Sequence, residues 1–577
     1  MAQEQDTQHA LLIPWGHFAR EIGLLSGIEA IKLSQKVYEH TPQTKVIEFL
    51  VAILSGTKYL QDISLAAHPL DKDLAVAEAW AQAGWADYTG ISRTLKSLSW
   101  AEVHEIVSVL ELVSQPFLDR ELSGLRSQSC GLQYDGDLTG LPVSNTSRTY
   151  PNAAYGHMAD EIRLGYQAGV VSLQSPTYGR LWLSVEHHAG DTVSCTQAEA
   201  LVLAAEQRSG QRPRRRTELL QKRIEVFVQS REPAEKRLVS QRAALATAQS
   251  ATQETVAQLR AETNPKRISV LERRCVRREK AVDVARKKLG KTQAWLNGHL
   301  EQEKALRKRL EQFQRENAEN PQPLEACFRL DAGFGTYDNI ALLIEMGYEV
   351  YVKLHNHKIV QMLTLALAGS AREKKVTTET AWMRVGNNAE MVAWAGLQLQ
   401  HCPYPLDIAL ERFYTGQTQK HSALAHFGAT SVTTDLPAWF GKYNARQTIE
   451  AGIKETKQVF YLNRLKVRSE PAIFLQEAMT IFAANFIRWA SVWIDQHAEQ
   501  EENTLLLGKM GIKKQVQVAA HTSAKVIQNS EGMLLRFSPV SAFAGKQLFF
   551  PAQTRVLRQN YFSSFFTILA LIAQKLR

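Results

Sequence analysis

The residues whose types and spacing could do chemistry lie between Gly441 and Phe460, in the stretch GKYNARQTIEAGIKETKQVF. On a helix turning about 100° per residue, Tyr443, Arg446, Glu450, Lys454 and Lys457 fall in one stripe roughly 80° wide, beside an apolar stripe of Ile449, Ile453 and Phe460. One face can dock on a core, and the other presents a carboxylate flanked by a phenol and three cations. Two readings fit that face. It is a surface helix laced with i, i+4 ion pairs such as Glu450 to Lys454, or a site where cations hold a phosphate beside a working carboxylate.

Two apolar runs carry further acids. From Cys130, the segment GLQYDGDLTGLPV alternates Leu132, Tyr134 and Gly136 with Gln133, Asp135 and Asp137, the pattern of a strand that ends in acid and is broken by Thr139-Gly140. A period of two puts Asp135 and Asp137 on one face, as turn residues or as ligands. After Pro321, EACFRLDAGFGTYDNIALLIEMGYEVYVKL reads as a strand with Asp331 at its end, a helix over Tyr337 to Met346 and a strand over Tyr348 to Leu354. Gly333 and Gly335 suit a tight strand-to-helix turn.

The order and spacing of Tyr443, Arg446, Glu450 and Lys457 resemble the Tyr-Arg-Glu-Lys signature of a large group of bacterial insertion-sequence transposases of the DDE class. The resemblance covers roughly Cys130 to Trp493 without the basic segment described below. It implies a ribonuclease-H-like domain in which two aspartates and a glutamate hold divalent metal. The family pattern of Asp followed closely by Thr favours Asp137 over Asp135, and R-x-D-x-G-F from Arg329 to Phe334 points to Asp331. The implied catalytic and metal-binding set is therefore Asp137, Asp331 and Glu450, hard oxygen ligands suited to two Mg²⁺ or Mn²⁺ ions ~3.5–4 Å apart. In the family the tyrosine, arginine and lysine contact the terminal nucleotides of the element, which implies a DNA-binding role for Tyr443, Arg446 and Lys457; Lys454 shares their stripe. The expected function is metal-dependent cleavage at transposon ends and transfer of the exposed 3′-hydroxyl to target DNA. A homodimer on double-stranded DNA, cytoplasmic and nucleoid-associated, goes with that function. A related metal-dependent nuclease and a catalytically inactive DNA-binding regulator are the alternatives.

Elements must position these residues. The chain has 577 residues, 45% of them hydrophobic, enough for several cores. Its five cysteines form no C-x-x-C pair, which points to a reducing compartment and away from structural zinc. The N-terminal residues lack a basic region followed by an apolar core, so no signal peptide is expected, and the apolar runs Ala472 to Ile494 and Tyr561 to Ala573 read as buried helices rather than membrane spans. No P-loop, G-x-S-x-G or H-E-x-x-H pattern is present, and His187-His188 reads as a solvated strand end.

The net charge of +10 is concentrated: residues 211–320 hold 27 Lys and Arg against 14 Asp and Glu, leaving the rest of the chain slightly acidic. Pro213 and Arg214 to Arg216 introduce this segment, and Ile268, Cys275, Val282, Leu289 and Leu296 repeat at seven residues. With a turn at Asn264-Pro265 it predicts an antiparallel helical hairpin, its second helix rising ~75 Å. That hairpin is a spacer or dimerisation arm, a DNA grip through Arg273, Arg274, Arg277, Arg278, Lys287 and Lys288, or both.

The expected architecture is thus a multidomain α+β chain. Residues 1–125 form a helical, end-binding domain without strands, in which Asp87 to Leu98, bearing Arg93 and Lys96, is a candidate recognition helix or an ordinary bundle helix. Residues 126–210, 321–360 and 431–500 form the ribonuclease-H-like α/β domain, with strands at Arg163 to Leu173, Arg180 to His187 and Ser431 to Leu436. The helical hairpin (211–320) and a β-rich insertion (361–430) interrupt it, and residues 501–577 carry no chemical motif. Trp382 and Trp394, in that β-rich insertion, are base-stacking candidates or core residues.

Overall fold

The computed structural model describes residues 3–128, 131–158, 161–367, 382–416, 418–499 and 501–552. Cys130, residues 368–381 of the expected β-rich insertion, and the apolar run 561–573 lie outside them. The chain is a mixed α/β assembly of several parts built on a ten-stranded mixed sheet.

The sheet explains how the acids are brought together. Strand Leu132–Pro142 pairs antiparallel with Glu161–Ser175, which pairs antiparallel with Gly179–Ala189. On its other side, Leu132–Pro142 pairs in parallel with Ala326–Leu330, which pairs in parallel with Glu349–Lys353. The parallel register sets Asp135 opposite Arg329, so Asp137 and Asp331 fall at the same level on neighbouring strands. Beyond Glu349–Lys353 the sheet continues through antiparallel strands Thr418–Phe427, Leu406–Thr415, Ala389–Leu397 and Met383–Arg384. The β-rich segment therefore widens the sheet, after an opening helix, His357–Leu367.

Helix Glu470–His497 is apolar almost all round, and it is buried because it lies between the strand Gly179–Ala189 and the N-terminal helices. Among those helices, Trp100–Ser127 starts at a capping box of Ser99 and Glu102, and Asp87 caps Tyr88–Ser97. The expectation of no strand before residue 125 is wrong: Gln3–Thr7 pairs antiparallel with Ala524–Gln528 and completes a four-stranded sheet with Gly532–Phe537 and Gln547–Pro551. A five-residue strand of polar residues at the edge of a remote sheet leaves no apolar alternation to read.

The hairpin consists of helices Glu232–Ala261 and Pro265–Ala318, with Asn264 capping the second. Cys275, Val282 and Leu296 of the seven-residue series are buried, and Leu296 packs with Ala234 and Leu238 of the first helix, with Leu289 against them. Its root is fixed by charge. Arg215, 1% exposed, pairs with Glu206 and Glu316 at 2.6 Å each, Tyr348 donates to Glu206, and Arg216 donates to the carbonyls of Ile344 and Tyr348. Two of the three arginines that open the basic segment are thus anchors whose donors are engaged within the fold. Arg273, Arg274, Arg277, Lys287 and Lys288 are exposed near the far end, and Arg278 is half-exposed.

No described helix is long and apolar enough to cross a membrane.

Candidate active site

Asp137 is the sixth residue of an eleven-residue strand that runs on through Thr139-Gly140 to Pro142, not the last residue before a break. Antiparallel pairing with Glu161–Ser175 carries the strand through that dipeptide, beyond the end of the parallel pairing at Asp135. Asp331 follows strand Ala326–Leu330 directly and caps the short turn Ala332–Phe334, its Oδ1 accepting from the Gly333 amide at 2.9 Å. Gly335 makes the turn possible, because a Cβ there would collide with the Lys353 carbonyl of the neighbouring strand.

The third acid comes from across the chain. The stretch 441–460 is not one continuous helix: Leu436–Asn444 ends at Ala445, and Gln447–Gln458 begins after Arg446. Ser431 to Leu436, expected as a strand, is a turn leading to the Asp435 cap and Pro437 in the first turn of the helix. The apolar stripe nevertheless docks as its spacing demands, with Ile449 and Phe460 fully buried and Ile453 packed against the core.

Arg446 joins the acids. Its Nη1 donates to Glu450 Oε1 at 2.5 Å and its Nη2 to Asp137 Oδ2 at 2.8 Å. Glu450 thus pairs with the arginine one turn before it instead of Lys454, which is exposed. Burial, opposed by Arg446 and reinforced by Asp331 and Glu450, pushes the Asp137 carboxyl up to about 7. Asp137, Asp331, Tyr443 and Glu450 together hold the Arg446 guanidinium above its ordinary value against its own burial. Burial raises the Tyr443 phenol, with Asp331 and Glu450 adding to the effect. Lys457 is half-buried within charge range of Asp137, and burial lowers its ammonium. The structure therefore brings together Asp137, Asp331, Tyr443, Arg446, Glu450 and Lys457, leaves Lys454 at the solvent edge, and keeps Arg93 and the hairpin arginines on other elements.

Three residues hold this geometry: Asp135, the alternative to Asp137 in the sequence, and Arg329 and Arg180, to which the sequence assigned no role. Asp135 is the closed neighbour of Asp137: Arg329 donates to both its oxygens at 2.7 and 2.8 Å and also to the Lys442 carbonyl and Gln174. Arg180 donates to the Thr448 carbonyl and packs on Gly452, where any Cβ would strike its guanidinium. A buried arginine opening the apolar strand RLWLSV, and a glycine inside a helix at a cost of roughly 0.5–1 kcal/mol, are the signals that mark such a contact.

The alternatives for other residues also resolve. Trp394 is core, 2% exposed, and Trp382 covers the Arg412 guanidinium at 4.1 Å. His187 is not solvated: it is buried against Glu477 at 2.9 Å, and that carboxylate raises its imidazole despite burial.

Three hard carboxylates suit a hard divalent cation, and the cation now between two of them is the Arg446 guanidinium. Among the described residues no three His, Cys, Asp or Glu are grouped as a ready metal cage. Comparison with protein-family models and with curated proteins gives no match.

Proposed function

We propose that the chain is a DNA transposase with a ribonuclease-H-like catalytic domain. The observation that carries this reading is the convergence of Asp137, Asp331 and Glu450 from three separate segments onto one buried arginine. The strand order supports it: three antiparallel strands, with two more added parallel to the first, carry acids on the first strand and just after the fourth.

Asp137, Asp331 and Glu450 would hold Mg²⁺ or Mn²⁺, which when bound activates the attacking oxygen and stabilises the leaving one. Around them, Arg446 and Lys457 bind non-bridging phosphate oxygens, and the Tyr443 hydroxyl donates to the same backbone. Water attacks the phosphorus at the element end and the bond to the 3′ oxygen breaks. The freed 3′-hydroxyl then attacks a target phosphorus, forming the new ester bond as the bond to the target's own 3′ oxygen breaks and that oxygen leaves as a hydroxyl. Lys454, the Arg93 helix and the hairpin residues Arg273, Arg274, Arg277 and Arg278 extend the positive surface along the duplex, and pairing of two ends calls for a homodimer on DNA. A nucleoid-associated place in the cytoplasm goes with this role.

The test compares the native chain with Glu450→Gln on duplexes carrying the flanking inverted repeats and on a supercoiled target plasmid. Expected is Mg²⁺-dependent cleavage and end joining, lost by roughly a thousandfold or more in the variant while end binding persists. Equal cleavage by both proteins removes Glu450 from the site. Cleavage without joining favours a nuclease, and binding without cleavage by either protein favours a regulator.

A further inference from the structure

Arg446 is the cation that bridges two of the three clustered carboxylates. Both its terminal nitrogens are committed to carboxylates, one on the Asp137 strand and one on the Glu450 helix. Its Nε is buried and finds no acceptor among the described residues. The cluster is closed on one side only, since the Asp137 side chain is 13% exposed and the Glu450 side chain 57%. By contrast, all three guanidinium nitrogens of Arg329 have partners, and that pair is sealed from water.

We propose that Arg446 is a latch coupling DNA binding to metal binding, an inference that rests on reading the three carboxylates as a metal site. Without DNA, the guanidinium neutralises Asp137 and Glu450 and competes with a divalent ion for their oxygens. An arriving phosphate offers a bidentate partner with acceptors for the planar guanidinium fork, including its unspent Nε–H. Transfer of Arg446 to the phosphate leaves Asp137, Asp331 and Glu450 free for the ion. Neither partner is left bare, because the guanidinium gains the phosphate as it gives up the carboxylates, and the divalent ion, with twice its charge, takes its place among them. By linkage, DNA tightens metal binding by the factor with which metal tightens DNA binding. The consequence is a site that charges with metal only when substrate is present.

Calorimetric titration of the full-length chain with MnCl₂, with and without a mixed-sequence DNA duplex, tests the latch. Without DNA, Arg446→Gln should bind Mn²⁺ roughly tenfold tighter or more than the native chain, the release of charge-assisted hydrogen bonds. The duplex should tighten Mn²⁺ binding to the native chain and leave that of the variant unchanged. Arg446→Lys, whose single ammonium cannot present two separated donors in a fork, should fall between them and serves if the glutamine variant unfolds. Mn²⁺ binding no tighter in either variant than in the native chain, yet weakened by Asp137→Asn, overturns the latch and leaves the metal site standing. Mn²⁺ binding indifferent to Asp137→Asn in every background overturns both.

Discussion

Asp135 and Asp137 stand two residues apart on one strand, each beside an arginine, and their surroundings separate structure from chemistry. Asp135 and Arg329 are each 1% exposed and meet through two hydrogen bonds, with the remaining donors of Arg329 spent on Lys442 and Gln174. Asp137 shares its arginine with an exposed glutamate, sits near a third acid, and is pushed towards neutrality. The first cluster is saturated and ties the sheet to the helix that bears Tyr443. The second gathers more negative charge than one arginine can satisfy, at a cost to stability. Excess like charge in a partly open position is the mark of a site that awaits a ligand.

The contrast breaks or sharpens under substitution. The largest effect belongs to the closed pair: Asp135→Ala strands a buried guanidinium and should destabilise the fold by about 3–5 kcal/mol in urea denaturation, whereas Glu450→Gln should leave stability nearly unchanged. Similar losses from both would abolish the distinction. Next comes Asp137, whose folded carboxyl is raised from 3.8 to about 7. Between those values the folded state binds the extra proton, so stability is greatest below the lower value, declines as pH rises through the interval, and stays reduced above it. Asp137→Asn should flatten that slope and raise the melting temperature at pH values above about 7 by a few degrees, while removing cleavage. An unaltered pH–stability profile would place Asp137 among ordinary solvated acids. The smallest effect is that of Lys454→Ala, which should lower the slope of log binding constant against log salt by about 0.9 with stability unmoved. A larger change would draw Lys454 into the buried cluster.

Local signals carried much of this arrangement. The strand with Asp331, the hairpin with its seven-residue seam and the docking stripe of Ile449 and Phe460 are all written in short-range periodicity, and the structure has them. The helix break at Arg446 was hidden, because Ala445 and Arg446 have helical dihedrals and nothing in NARQT stops a helix. The polar strand Gln3–Thr7 was hidden for the opposite reason: its partner lies more than five hundred residues away and supplies the reason to be extended. The resemblance favoured Asp137 over Asp135, but the physical reason that Asp135 is closed was hidden, since the parallel register that presents Arg329 to it exists only in the folded sheet.

The hairpin carries one more consequence. Its second helix is 54 residues long, about 80 Å, and its root is clamped by Arg215 between Glu206 and Glu316. In a clamped rod of this kind, length is an angular coordinate. Deleting one residue from each strand of the hairpin turns the far arginines by about 100° about its axis and breaks the seam, whereas deleting seven from each shortens the reach by about 10 Å and returns them within roughly 20° of their heading. Evolution can therefore adjust how far this arm extends only in coarse steps, and natural length variants should differ by whole heptads.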